Sequence, residues 1–235
     1  RIYDSENLKY YTAYGNYNDI TFNPVPVFED GMINPFGSAK VREAMNWLID
    51  RSYIADEISG GMAIPRFTVI NYASKDSAEL ADIIAGINLK YAHNPDKAVE
   101  VITAEMEAMG AEMVDGKWAY NGEPVVVVAL IRVEDERLEI GHYVSNLLED
   151  IGFTVDRQEK TSPEAATCWI SSDPATGCFG FYTGGWVSTV IDRNAQYQFG
   201  DYYTPLGWGI PLGQAMQNTD EFFAVVEALY NSDYS

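Results

Sequence analysis

The sequence predicts an α/β fold: a mixed, mostly parallel sheet flanked by helices, with an irregular, aromatic-rich segment after the sheet. Three observations carry this. Residues 125–131 read VVVVALI, the continuous apolar run of a strand covered on both faces. Residues 136–151 place Ile140, Val144, Leu147, Leu148 and Ile151 at helical spacing; Gly152 ends that helix and Phe153-Thr154-Val155 starts a new strand. Strand, helix and strand at this spacing make a parallel, right-handed βαβ unit. Finally, residues 179–182 give an aromatic strand, whereas residues 200–217 carry Gly, Pro, Tyr and Trp without periodicity.

In chain order, residues 8–28 hold two extended runs separated by turn material at Gly15, Asn16, Asn18 and Asp19, which reads as a hairpin. Pro24 and Pro26 make the second run an edge or an exit. Residues 31–37 form a loop. Ser38 then opens a helix whose Val41, Ala44, Met45, Leu48 and Ile49 face the core while Arg42 and Glu43 face away. Asp50-Arg51 continues it or starts a second helix, stopped by Gly60-Gly61. Ser77 caps a further segment with Leu80, Ile83, Ile84 and Ile87. Asn94, Pro95 and Asp96 start the next helix and Gly110 lies past its end. Asp115-Gly116 and Asn121-Gly122 are turn dipeptides around a short strand at 117–120. Ser162-Pro163-Glu164 begins a helix that Asp173-Pro174 turns, and Thr219-Asp220-Glu221 begins a last one through Phe222, Phe223, Val226 and Leu229.

Composition bounds the function. The 235 residues carry a net charge of −20, from 15 basic and 35 acidic side chains. That balance opposes nucleic acid and anionic membranes, which recruit clustered Lys and Arg. No apolar run reaches the roughly 20 residues of a membrane-spanning helix. The chain starts at Arg1 without a signal peptide and reads as a processed or excised piece. Cys168 and Cys178 either bridge in an oxidising compartment or stay reduced and buried.

Dedicated catalytic or metal motifs do not emerge. His93 precedes a helix cap and His142 lies off its helix's apolar face, so both read as exposed or capping residues. There is no HExxH, CxxC, EF-hand loop, GxSxG elbow or Walker A loop. Glu134, Asp135 and Glu136 read as helix-start acids favoured by the dipole. The strongest binding candidate is the stretch from Phe179 to Asp192. There Gly184-Gly185 breaks an aromatic strand, Trp186 offers an indole wall, and Asp192 supplies a carboxylate six residues on.

Five collinear segments then resemble the family 5 extracellular solute-binding proteins of ABC transporters, the peptide- and nickel-binding type. Asn34-Pro35-Phe36 with Val41-Arg42-Glu43-Ala44-Met45-Asn46 and Ile49-Asp50-Arg51 resembles the family's NP…VRxAxxxAIDR helix. Gly60-Gly61 with Pro65, Asn94-Pro95-Asp96-Lys97-Ala98, Leu147 to Val155, and Gly185-Trp186 with a downstream aspartate follow in family order. Peptide binders of the family often carry an aspartate three residues after this tryptophan. Here that position is Thr189, and the family's DP.N reads Asp192-Arg193-Asn194.

The resemblance implies a periplasmic-binding-protein-like lobe that binds an oligopeptide or similar small solute and catalyses nothing. It implies Tyr182, Gly184, Gly185, Trp186, Ser188, Thr189, Asp192 and Arg193 as ligand-binding residues, with no cofactor and no metal. Partners would be ABC transporter permease subunits, and the location extracytoplasmic, with anchoring in the full-length protein. Residues 1–30 would be hinge strands of the other lobe and residues 31–235 the later, C-terminal lobe, cut at its end. The alternatives are an extracellular hydrolase working through paired carboxylates, and a non-transport interaction module on the same fold.

Overall fold

The computed structural model describes residues 15–186, 195–207 and 209–232. Strand β1 (Tyr17–Phe22) leads into a loop that closes through a Val27 to Ile33 bridge and a 3₁₀ turn at Pro35–Gly37. Helix α1 (Ala39–Leu48) follows, and the Ser38 side chain accepts from the Lys40 and Val41 amides, satisfying groups the first turn leaves unpaired. Asp50 caps α2 (Arg51–Tyr53), which widens into a π-turn at Ile54–Ile58. After α3 (Lys75–Glu79) and α4 (Ala81–Lys90) comes α5 (Pro95–Ala108), which buries Ala98, Ile102 and Met106 against α1.

A small antiparallel meander, β2 (Glu112–Val114), β3 (Lys117–Tyr120) and β4 (Glu123–Pro124), precedes the sheet proper. Its turns place Asp115 and Asn121 at φ 49° and 52°, each followed by a glycine at positive φ. Two successive positive-φ residues are what the dipeptides Asp-Gly and Asn-Gly supply. Strand β5 (Val126–Arg132), helix α6 (Arg137–Asp150) and strand β6 (Thr154–Lys160) form the expected unit, and β5 pairs with β6 in parallel from Val126–Thr154 to Arg132–Lys160. Helix α7 (Ser162–Trp169) starts at a Thr161–Glu164 capping box. Strand β7 (Phe181–Trp186) then runs parallel to β5 and antiparallel to β1, giving the order β1-β7-β5-β6. Helices α8 (Ala195–Tyr203), α9 (Pro211–Gln214) and α10 (Asp220–Tyr230) complete the described chain.

Side-chain alternation divides the interior. Val127, Ala129, Ile131 and Phe181 join the core formed with α1, α5 and α6; Leu130 and Tyr182 join Ala165, Cys168, Phe179 and Leu212. Gly141 lets α6 approach β5 closely, since a Cβ there would lie 2.6 Å from Ile131. Cys168 and Cys178 are disulfide-bonded, so of the two states left open by sequence the bridged one holds.

Several local expectations are corrected. Asn18 and Asp19 are strand residues of β1, because pairing with β7 overrides their turn propensity. The first run of the proposed hairpin lies outside the described residues. Ser74, not Ser77, caps the helix after residue 73, and Ile83 is exposed. Gly184-Gly185 does not break β7, which continues to Trp186 with Asp19 and Asn18 as partners. Residues 200–217 are not wholly irregular, since α8 and α9 occupy much of them. Of the apolar residues expected inward on α10, Val226 is buried.

Candidate functional site

The site grows from the open ends of β1 and β7. Their register sets Tyr17 opposite Trp186, Asn18 opposite Gly185 and Asp19 opposite Gly184. Tyr17, Asp19 and Thr21 share one sheet face, because strand side chains alternate. Gly184 leaves the space that Asp19 occupies: a Cβ on Gly184 would sit 2.6 Å from Asp19 Oδ1 and 3.1 Å from Thr21 Oγ1. The glycine is therefore a niche for a carboxylate, and the strand needs no break to use it.

Asp19 is the electrostatic centre of this niche. The Thr21 hydroxyl donates to Oδ2 at 2.7 Å, while Oδ1 is sealed from solvent with no hydrogen-bond partner of sound geometry among the described residues. Burial pushes the Asp19 carboxyl up from 3.8 to about 6, against the opposing pull of Thr21, the Trp186 side chain and the charge of Arg137. The residue as a whole is half-buried, so its desolvation is concentrated on the carboxyl group.

Aromatic rings surround it. The half-buried Trp186 ring lies 4.4 Å from Tyr202 on α8, and Tyr202 meets Tyr17 edge-on at 6.3 Å. The Arg66 guanidinium covers Tyr17 at 4.1 Å. Burial raises the Tyr17 hydroxyl above its usual range, so it stays protonated at neutral pH.

These groups line a cleft of about 1650 Å³ that also takes in Trp169, Arg42 and Asn46 of α1, Arg51, Asp135 and Arg137 at the start of α6, and Leu212. Three guanidiniums here are held by uncharged acceptors. Arg42 donates to the Phe36 carbonyl at 2.6 Å and the Gly37 carbonyl at 3.2 Å. Arg51 donates to the Arg66 carbonyl at 2.9 Å and Asn46 Oδ1 at 2.7 Å, under the ring of Phe67. Arg66 donates to the carbonyls of Thr68 and Val69. Burial lowers the pKa of all three, and none forms an ion pair among the described residues. A strongly acidic chain thus presents a cleft with three arginines that have no carboxylate partner among the described residues.

Of the residues expected at the site, Gly185 and Trp186 line the cleft. Gly184 lies behind it, beneath Asp19. Tyr182 is corrected: it is 3% exposed in the second core and stacks on Trp169 at 5.0 Å, so it supports the wall from behind. Ser188, Thr189, Asp192 and Arg193 lie outside the described residues. Asp19, Tyr17, Tyr202, Arg66 and Trp169 were not expected. The aromatic and β-branched residues of YNDITF were the available strand signal, hidden by the turn-like Asn-Asp pair.

Asp135 is held by Arg137, which keeps its carboxyl low. His142 pairs with Glu159 at 2.9 Å and His93 with Asp50 at 3.6 Å, neither at the cleft wall. Among the described residues no group of three or more His, Cys, Asp or Glu could hold a metal ion.

The sequence pattern of the bacterial extracellular solute-binding proteins, family 5 (middle region), matches residues 1–206. The chain belongs to this family. Membership accounts for the order of segments from Asn34-Pro35 to Gly185-Trp186, and no curated protein sequence matches the chain. Solved structures similar to it include NikZ of Campylobacter jejuni in complex with Ni(L-His), at 16% identity and TM-score 0.62, covering 93% of this chain and 40% of that one. The oligopeptide-binding protein AppA of Bacillus subtilis, in complex with a nonapeptide, aligns at 18% identity and TM-score 0.62, with the same coverage of 93% and 40%. A mannohexaose-bound periplasmic oligopeptide-binding protein of Thermotoga maritima aligns at 15% identity and TM-score 0.65, covering 93% and 39%. These likenesses establish the periplasmic-binding-protein-like fold. The chain spans about 40% of the length of the NikZ and AppA structures. Among the described residues no helix is long and apolar enough to cross a membrane.

Proposed function

We propose that this chain forms one ligand-binding wall of the extracytoplasmic solute-binding component of an ABC importer, with an oligopeptide as the solute. The observation that carries the reading is the meeting, in one cleft, of a carboxylate and three guanidiniums that form no ion pair among the described residues, around aromatic platforms. A zwitterionic chain with apolar side chains complements such a wall. The three solved relatives hold a nickel complex, a peptide and a sugar, so the fold alone does not choose the solute. The wall's charges favour the peptide.

In this reading residues 31–235 make the lobe and residues 1–30 lead in from a second lobe, with β1 as the join. Closure of the two lobes completes the site. In this reading Ser188, Thr189, Asp192 and Arg193, a few positions after Trp186 in the sequence, also contact the solute. Delivery is to the permease subunits of the importer, and no bond in the solute is made or broken. The Cys168–Cys178 disulfide fits an oxidising, extracytoplasmic location, with an anchor elsewhere in the full-length protein.

The test is calorimetric titration of the complete protein with a panel of tri- to hexapeptides, alongside nickel–histidine and mannohexaose. Saturable one-to-one binding of peptides supports the proposal. Binding of the sugar or the nickel complex, with none of the peptides, replaces the solute class.

A further inference from the structure

Helix α7 is short and lightly anchored, yet it ends on a tryptophan that lines the cleft. Its eight residues fully bury only Ala165 and Cys168, two small side chains. A helix of fewer than about 12–15 residues does not hold its shape alone in water, so tertiary contacts must place it. Two such links run from the end of α7 to β7 and its approach. Cys168 is disulfide-bonded to Cys178, which precedes the strand by three positions. Trp169, the last residue of the helix, stacks on Tyr182 with ring centroids 5.0 Å and planes 18° apart. Tyr182 shares its face of β7 with Trp186, because strand side chains alternate. The bridge belongs to the cluster that forms this part of the wall. Cys168, Leu130, Tyr182 and Leu212 are buried together, and the half-buried Trp169 and Ile210 pack against them. Trp169, Ile210 and Leu212 also line the cleft, so the second core reaches it as an apolar surface.

We propose that the Cys168–Cys178 disulfide sets solute affinity, by fixing Trp169 beside Ile210 as an apolar platform for a side chain of the solute. The inference rests on the solute-binding reading and gives the bridge a role in recognition beyond its contribution to stability. Cys168 immediately precedes Trp169, so any shift of the last turn of α7 moves both residues. Without the covalent link the stack on Tyr182 is left to hold that turn, and an aromatic pair adds only modestly to the area it buries. A platform that the solute must first order loses affinity to that ordering; a fixed one does not. An apolar side chain is the fitting partner, because Trp169, Ile210 and Leu212 present no charge to pair with. Trp169 is the contact residue in this arrangement, and Cys168 and Cys178 are positioning residues. A bridge that served stability alone would leave the affinity of the folded protein unchanged, and the experiment separates the two.

The complete protein is titrated by calorimetry with tri-leucine and with tri-alanine. Wild type is compared with Trp169→Ala, with Cys168→Ala/Cys178→Ala and with the triple variant, each first shown by circular dichroism and urea denaturation to be folded in the titration buffer. Wild type should prefer tri-leucine. Trp169→Ala and the bridge-free variant should each weaken tri-leucine on the order of 10-fold, the effect of one partly buried apolar side chain, and weaken tri-alanine less. The triple variant should lose no more than Trp169→Ala alone, since the bridge acts through that residue. Additive losses, equal losses for the two peptides, or wild-type affinity in the folded bridge-free protein would overturn the proposal while solute binding stands. So would a wild type that binds both peptides equally. If wild type binds neither peptide, the oligopeptide reading falls and the platform with it. Should the bridge-free chain fail to fold, Trp169→Ala in the bridged protein decides: loss of the tri-leucine preference upholds the proposal, and an unchanged preference overturns it.

Discussion

Removing the charge of Asp19 should stabilise the folded protein at neutral pH. Its carboxyl titrates near 6 when folded and at 3.8 in an unstructured chain. Between those values the folded state holds the proton more tightly, so this group's contribution to stability is full below about pH 3.8 and is lost as pH rises through 6. At about 1.36 kcal/mol per pH unit, the gap corresponds to about 3 kcal/mol. The partial exposure of the residue screens some of it, so Asp19→Asn should gain about 1–3 kcal/mol at pH 7 and about zero at pH 3.5. Urea denaturation of both proteins across pH 3.5–7.5 reads the difference directly. Other carboxylates impose the opposite slope: Glu43, Asp135 and Glu149 are held low by hydrogen bonds from Tyr91, Arg137 and Arg157 respectively. Their contributions are common to both proteins and cancel. A stability difference that stays flat with pH, or an Asp19→Asn variant less stable at pH 7, would refute the reasoning.

Three further outcomes follow from packing. Gly184→Ala should cost about 1–3 kcal/mol, the usual range for overpacking, because its Cβ lands 2.6 Å from Asp19 Oδ1; thermal unfolding measures it, and peptide affinity should fall in parallel. Replacing both Cys168 and Cys178 by alanine should lower stability by about 2–3 kcal/mol, the loop-closure value for a short loop; the bridge spans a separation of 10 residues, and urea midpoints with and without reductant check it. Ser38→Ala should cost about 1 kcal/mol, since Ser38 caps α1 and donates to Glu105 at 2.8 Å. Loss of the same amount in Glu105→Gln, and non-additivity in the double variant, would show that the two act together.

Local chemistry made part of this molecule legible. The start of α1 at Ser38 and of α5 at Asn94-Pro95, the Asp-Gly and Asn-Gly turns, and the unit from β5 to β6 all follow from caps, turn dipeptides and periodicity. These are interactions within a few residues, so sequence carries them. The misreadings share one cause. Asn18-Asp19 and Gly184-Gly185 have turn chemistry in isolation, yet each pair lies in a strand because the other pair is its partner. Partners more than 160 positions apart leave no mark in a local window. The same blindness hid Asp19 as a site residue, since its meaning comes from the glycine opposite and from Trp186 and Tyr202 beside it. Trp186 was legible as a wall. Tyr182, four residues earlier on the same face of the strand, was not separable from it until its stack on Trp169 and its place in the second core appeared.

The central claim is that this cleft captures a peptide and leaves it unchanged. The most direct measurement mixes the complete protein with penta-alanine at stoichiometric concentration, follows binding by Trp fluorescence, and recovers the peptide after prolonged incubation for mass spectrometry. The account predicts a saturable fluorescence change and full recovery of the intact mass. Cleaved or modified peptide, or the absence of saturation at millimolar concentration, would contradict it.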